Sequence, residues 1–198
     1  MDLDENLRKY DRIKTRLFGY AEVPVDNFLI QNPKINIQSN DENSIRGIAE
    51  FLEKKIKMDC IYIIGPGRTT QSFLKKIGIC GTLLGVDILQ GNKLIEKDAD
   101  SIAIESLPAR GEFFIITGIT GGQGFLFGRG NQQITPKFIK RVGKKNILVV
   151  ASKNKLFALP HQRLLVDTGD KDLDRELAGY HRVQTGKNLS QIVKIDVA

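Results

Sequence analysis

Apolar positions along the chain change period several times, and each change predicts an element. In "DENSIRGIAEFLEKKIK" the residues Ile45, Ile48, Phe51, Leu52 and Ile56 recur three or four apart, the spacing that gathers them on one face of a helix. The pattern then becomes a short continuous run, "CIYII", followed by "GPGRTT" and a second amphipathic stretch, "QSFLKKIG". Together these spell strand, turn, helix. "TLLGVDILQGNKLIEKDA" predicts a strand, a Gly-Asn turn and a second short strand, and "DSIAIESLPARG" fits another short helix.

"EFFIITGI" is a strand that runs straight into "ITGGQGFLFGRGNQQITP". After it, "TPKFIKRVG" has Thr135 as N-cap, Pro136 at the first helical position and Gly143 as stop. "NILVVAS" is a continuous apolar run of the kind that fills a strand covered on both faces. The tail from Arg163 alternates strand-like runs with turns. Strands separated by helix-length segments predict an α/β fold of three layers. Its mostly parallel central sheet should hold Cys60–Ile64, Leu84–Leu89, Phe113–Thr117 and Ile147–Ala151. Residues 1–24, ending in the alternating Leu17, Tyr20 and Val23, are expected to form an arm continuing from an upstream domain, and 25–198 an α/β domain binding a nucleotide or other anion.

Composition narrows the class. At 198 residues with 41% hydrophobic and 27% charged content, the chain is ordinary for a packed core. No stretch reaches the roughly 18–20 apolar residues of a membrane span, and the start has no signal-peptide run. The expectation is a cytoplasmic protein without membrane contact. Cys60 and Cys80 lie in apolar settings without metal-ligand spacing, so both are expected as buried thiols, and no metal site is expected.

The net charge of +7 matters through its placement. Between Glu112 and Asp167 there is no acidic residue, while nine basic residues, Arg129 to Arg163, fall there. A one-signed segment around a glycine-rich loop favours an anionic partner. Nucleic acid is not the expected one, because the segment lacks the interleaved aromatics of a base-stacking platform.

Two loops carry the candidate chemistry. In "IIGPGRTT" the backbone at Gly65 and Gly67, the free amides of the following helix and the hydroxyls of Thr69 and Thr70 suit a phosphate or carboxylate. The alternative is a tight strand-to-helix turn with its cap. In the longer loop, Gly121, Gly122, Gly124, Gly128 and Gly130 stand with Gln123, Arg129, Asn131, Gln132 and Gln133. Permissive backbone, neutral amides and one forked cation suit a nucleotide's base, ribose and phosphate. Phe125, Leu126 and Phe127 argue against a mere surface hairpin.

Acid-base candidates are few. His161 and His181 have no serine or cysteine elbow near them and read as surface histidines. Asp87, inside the apolar run "LLGVDIL", must be paired, metal-bound or strand-terminal, and is the weak catalytic candidate. Asp167 and Asp170 in "VDTGD" suit ribose hydroxyls or a metal, or else an Asx-turn and helix cap. Aspartic-protease chemistry is excluded, since no second matched carboxylate loop is present.

Taken together, "RLFGYAEVP", "YIIGPGRTT", "TLLGVDIL", "GGQGFLFGRGNQQITPKFIKRVGKKNILVVAS", Lys155–Leu156 and "LLVDTGDKDLDRELAGYHRVQTG" resemble the C-terminal half of the predicted ATP-NAD kinase family, the branch that includes the acetoin-catabolism X proteins. The resemblance spans nearly the whole chain. It implies phosphoryl transfer from ATP or polyphosphate to the adenosine ribose 2′-hydroxyl of NAD, giving NADP, with Mg²⁺ in the full enzyme. It implies a ligand set of Gly65, Gly67, Arg68, Thr69, Thr70, Gly121, Gly122, Gln123, Gly124, Arg129, Asn131, Lys155, Asp167 and Asp170. It also implies a Gly-Gly-Asp-Gly domain that binds the donor phosphates and supplies the catalytic carboxylate, a loop these residues do not contain. A separately encoded partner and a homo-oligomer are therefore expected. The chain departs from the pattern at Arg68, ahead of Thr69 and Thr70, and at Gly118, where proline is usual.

The loop order also resembles the sugar-phosphate isomerase and coenzyme A transferase type of α/β domain, a likeness of fold alone. A non-catalytic nucleotide-binding module and a stand-alone sugar-phosphate enzyme remain the alternatives.

Overall fold

A computed structural model describes residues 2–3, 15–16, 41–120 and 123–198. Strands β1 (Asp2–Leu3) and β2 (Thr15–Arg16) form a separate antiparallel pair. The remainder of the arm expected over 1–24, with Leu17, Tyr20 and Val23, lies outside the described residues, as do Gly121 and Gly122.

Nine strands make the main sheet: β3 (Ile61–Ile64), β4 (Asp87–Gln90), β5 (Lys93–Glu96), β6 (Phe113–Thr117), β7 (Phe125–Phe127), β8 (Ile147–Val150), β9 (Arg163–Val166), β10 (Gly179–Gln184) and β11 (Ser190–Val197). Their order is β5-β4-β3-β6-β8-β10-β11-β9-β7. Five of the eight neighbouring pairs are parallel. β3, β6, β8 and β10 run one way, and β11, β9 and β7 return the other way.

The four runs predicted from sequence sit side by side at β4-β3-β6-β8. One of them needs correcting. The strand expected at Leu84 begins at Asp87, because residues 83–85 are bent, with Gly67 N donating to Leu83 O, and it pairs antiparallel with β3. The predicted Gly-Asn turn then closes the β4–β5 hairpin.

Alternation along the strands builds two cores. Ile63, Phe113, Ile115 and Val149 face one side, and Tyr62, Ile64, Ile116 and Val150 the other. On the second side lie α1 (Glu42–Lys55), through Ile48 and Leu52, and α2 (Arg68–Lys76), through Phe73 and Leu74. Each of these four side chains is at most 1% exposed, worth roughly 1.5–3 kcal/mol of burial apiece. On the first side pack α3 (Ser101–Glu105), α4 (Pro136–Val142), α5 (Lys153–Phe157) and α6 (Lys171–Leu177). Thr135 caps α4 by accepting from Phe138 N, Pro136 opens it and Gly143 ends it at φ +76°, as the sequence predicted.

The sheet is not flat. Asn131 Nδ2 lies 2.9 Å from Leu126 O in β7 and 3.5 Å from Thr117 Oγ1 in β6. Five steps across a flat sheet at about 4.8 Å each would hold those strands roughly 24 Å apart. The β6-to-β7 half therefore curls back on itself, with Leu126, Phe127, Leu164 and Ile195 inside.

Three further expectations change. Cys60 is buried, but Cys80 is exposed, because it lies in the loop between α2 and β4. Residues 171–177 in the tail form a helix. His181 is buried at 8% exposure, its Nε2 3.0 Å from Leu177 O, whereas His161 is exposed as expected. Burial holds His181 below its ordinary 6.5, and the Lys144 ammonium pushes the same way. The unfolded chain then binds this proton at higher pH than the native one, so stability present above about 6.5 declines as pH falls below it. Thermal melts from pH 8 to 5.5 should show that decline, and His181→Gln, which keeps an amide donor for Leu177 O, should flatten it. An unchanged slope in the variant would contradict this origin.

Candidate functional site

The two candidate loops meet at the end of β6. Gly65 leaves β3 with its amide on Ile116 O, and a Cβ at Gly65 would stand 2.7 Å from Thr117 Oγ1. The same hydroxyl donates to Gly118 O and accepts from Asn131 Nδ2. Thr117 thus joins the Gly65–Thr70 turn to the far end of the glycine loop. Within the turn, Gly67 caps α2, and its carbonyl accepts from Thr70 Oγ1 and Gln71 N. Thr69 and Thr70 are buried, and Arg68 is exposed.

The glycine loop folds back rather than projecting. Thr120 N donates to Phe125 O, Thr120 Oγ1 to Arg129 O, and Gly124 N to Thr120 O. β7 is wholly buried beside β9, with Leu165 N on Gly124 O. Gln123 is half-buried at the loop's start. Arg129 stacks its guanidinium 4.5 Å from the Phe125 ring centroid. At Gly128 the backbone has φ +94°, and a Cβ would lie 1.6 Å from Asp167 O, so only glycine fits there.

That contact shapes a cavity of about 190 Å³, bounded by Gly128, Gln132, Ile134 and Pro136 on one side and by Asp167, Thr168 and Gly169 on the other. Asp167 is exposed, with its amide on Phe127 O. Thr168 is pinned from behind: its N–H and hydroxyl both donate to buried Asp174 Oδ1, at 2.9 and 2.7 Å. Sequence reading picked out Asp167 but missed Thr117, Thr168 and Asp174 as the groups that fix the cavity. Asp174 lies six residues from its partner and left no local signal.

The other candidates stand apart from this cavity. Asp87, 1% exposed, accepts from Thr82 N, Thr82 Oγ1 and Asp98 N, and so clamps the loops on either side of β4. Lys155 sits in α5, its amide donating to Ser152 Oγ. Asp170 caps α6 through Asp172 N and Leu173 N and pairs with Lys140. The Lys140 bond, with the Leu173 amide behind it, holds the Asp170 carboxyl below its usual range. Glu105 is likewise lowered, first by the Thr135 hydroxyl and then by Lys137.

These pairs also redistribute the basic segment. Lys137 meets Glu105, Lys140 meets Asp170 and Arg163 meets Asp196. Arg141 stacks on Phe113 and bonds Leu107 O and Pro108 O, while Lys144 caps α6 at Glu176 O and Ala178 O. Acids from outside the segment, and main-chain carbonyls, absorb much of its charge.

Among the described residues no three or more His, Cys, Asp or Glu side chains are grouped to hold a metal ion. No helix of the described residues is long and apolar enough to cross a membrane.

A mostly parallel nine-strand sheet flanked by helices, with glycine turns at its strand ends and one of them closed over a cavity, defines a three-layer α/β domain. The ATP-NAD kinase C-terminal domain family matches residues 58–195, and the chain belongs to that family. Neither a curated protein nor a solved structure matches the chain.

Two substitutions test the geometry. Gly128→Ala combines positive φ with a backbone collision and should destabilise the protein by roughly 2–4 kcal/mol in urea unfolding. A loss below about 0.5 kcal/mol would show that the loop does not sit on Asp167 as described. Asp87→Asn replaces an acceptor of three bonds by a group with one acceptor, and should cost about 1–3 kcal/mol in the same measurement.

Proposed function

We propose that this chain is the NAD-side domain of an ATP-NAD kinase-type enzyme, holding the dinucleotide while a phosphoryl group passes from ATP or polyphosphate to an adenosine ribose hydroxyl. The observation that carries the reading is the glycine loop closed over Asp167–Gly169 in a member of this family. Phosphoryl transfer asks little covalent chemistry of the protein and depends on positioning and charge compensation. The groups available here position: Thr117 and Asn131 tie the two loops together, Asp174 fixes Thr168, and Gly128 keeps the cavity wall thin.

Charge compensation and the acceptor's carboxylate belong, in this reading, to a Gly-Gly-Asp-Gly loop, which these 198 residues do not carry. Mg²⁺ would neutralise donor phosphates alongside that loop. The same reading places the protein in the cytoplasm, as a homo-oligomer or beside a partner bearing that loop. Asp87 is a poor base, since its two oxygens already accept three bonds.

The chain as given should bind NAD in calorimetry and form little or no NADP with ATP or polyphosphate. Adding a Gly-Gly-Asp-Gly protein should restore turnover, because an ångström of misplacement alone costs on the order of a hundredfold in rate. Absence of NAD binding would overturn the reading. Robust turnover by the chain alone, lost in Asp87→Asn at full folding, would move the catalytic carboxylate to Asp87.

A further inference from the structure

We propose that residues 17–37 of this chain pack across the open face of β10, β11 and β9, beside α1, and so extend the second core. The inference is independent of the nucleotide reading above.

Strand register defines the face. Gln184 stands beside Val150 in the parallel β8–β10 pair, so Arg182 and Tyr180 lie on the side that carries α1 and α2. Pairing extends the same face to Ile192 and Lys194 in β11 and to Arg163 and Leu165 in β9. Across β3, β6 and β8 that side is sealed by α1 and α2, but among the described residues nothing seals it across the other three strands. Tyr180 is 73% exposed and Ile192 62%, whereas Val183, Val193 and Leu164 on the opposite face are buried. As diagonal neighbours, Tyr180 and Ile192 are within side-chain reach of each other and form one apolar strip.

Size selects the occupant. Three strands about 4.8 Å apart and roughly six residues long present about 300 Å², under half of the roughly 800 Å² that each partner of a stable complex buries. A second copy needs more surface than that. A segment of the same chain does not, because its association is intramolecular.

Chain continuity then names the segment. Asp41, at the start of α1, accepts from Ser152 Oγ at 2.6 Å just beyond β8, and Gly47 lies on the β10–β11 turn, where a Cβ would stand 2.7 Å from Lys187 N. The chain therefore enters α1 at the border of the open face. One pass of about 20 Å takes roughly six extended residues, and residues 17–40 separate β2 from Asp41.

Composition and charge agree. "LFGYAEVPVDNFLI" and "INI" bring ten Leu, Ile, Val, Phe or Tyr side chains, enough to cover the strip. The segment holds Glu22 and Asp26 against Lys34, while the face holds Arg163, Arg182 and Lys194 against Asp196. Their net charges are opposite. Arg163 and Lys194 share Asp196, so Arg182 is the cation expected to meet Glu22 or Asp26.

The chain contains no tryptophan, so Ile192→Trp places a single fluorescent reporter on the face. In the intact protein its emission should be blue-shifted and shielded from acrylamide, and should stay so on about hundredfold dilution. Of Phe18→Asp, Val23→Asp, Phe28→Asp and Ile30→Asp, each added to the reporter, at least one should shift the emission to the red with circular dichroism unchanged. Solvent-exposed emission in the intact reporter protein, or blue emission that no folded segment variant moves, overturns the proposal. Blue emission lost on dilution gives the face to a second copy and overturns it too. If every segment variant unfolds, photocrosslinking decides: benzoylphenylalanine in place of Tyr180 should attach to a peptide within 17–37 of the same molecule. Attachment elsewhere, between molecules or nowhere overturns the proposal.

Discussion

The side-chain amide of Asn131 is the tie on which the rest of the site depends. With one nitrogen it reaches Leu126 O in β7 and the Thr117 hydroxyl at the end of β6, strands that lie at opposite ends of a six-strand run. That bridge returns the glycine loop to its point of departure and commits the sheet to its curl. β7 then pairs with β9, and Gly128 comes to rest on Asp167. Asn131 is 4% exposed, and among the described residues its Oδ1 has no hydrogen-bond partner.

Charge is handled by distance along the chain rather than by sequence neighbours. A segment with nine cations and no acids draws Glu105, Asp170 and Asp196 from other parts of the fold, and uses Arg141 and Lys144 to satisfy main-chain carbonyls. The cavity beside it carries a carboxylate instead.

Much of the architecture was legible because local rules governed it. "CIYII", "EFFIIT" and "NILVV" are strands with both faces covered, and their continuous apolar character says so directly. Thr135, Pro136 and Gly143 marked both ends of α4. Where the readings slipped, a contact distant in sequence decided the outcome. Leu84 had strand-like neighbours, yet strand pairing starts only at Asp87. His181 looked like a surface residue until β10 placed it under α6 and Lys144. Cys80 sat in an apolar-looking stretch that proved to be an exposed loop. The glycine loop announced a site by composition, but its partner, Thr168 held by Asp174, became visible only in three dimensions.

The central claim is that nucleotide seats where the glycine loop closes on the end of β9. Backbone hydrogen exchange of the intact chain, with and without saturating NAD, tests it most directly. Slowed exchange is expected in residues 124–134 and 166–169, with far smaller changes along β5 and the β10–β11 turn. Slowing confined to those distant elements, or none in either loop at full NAD occupancy, would contradict it.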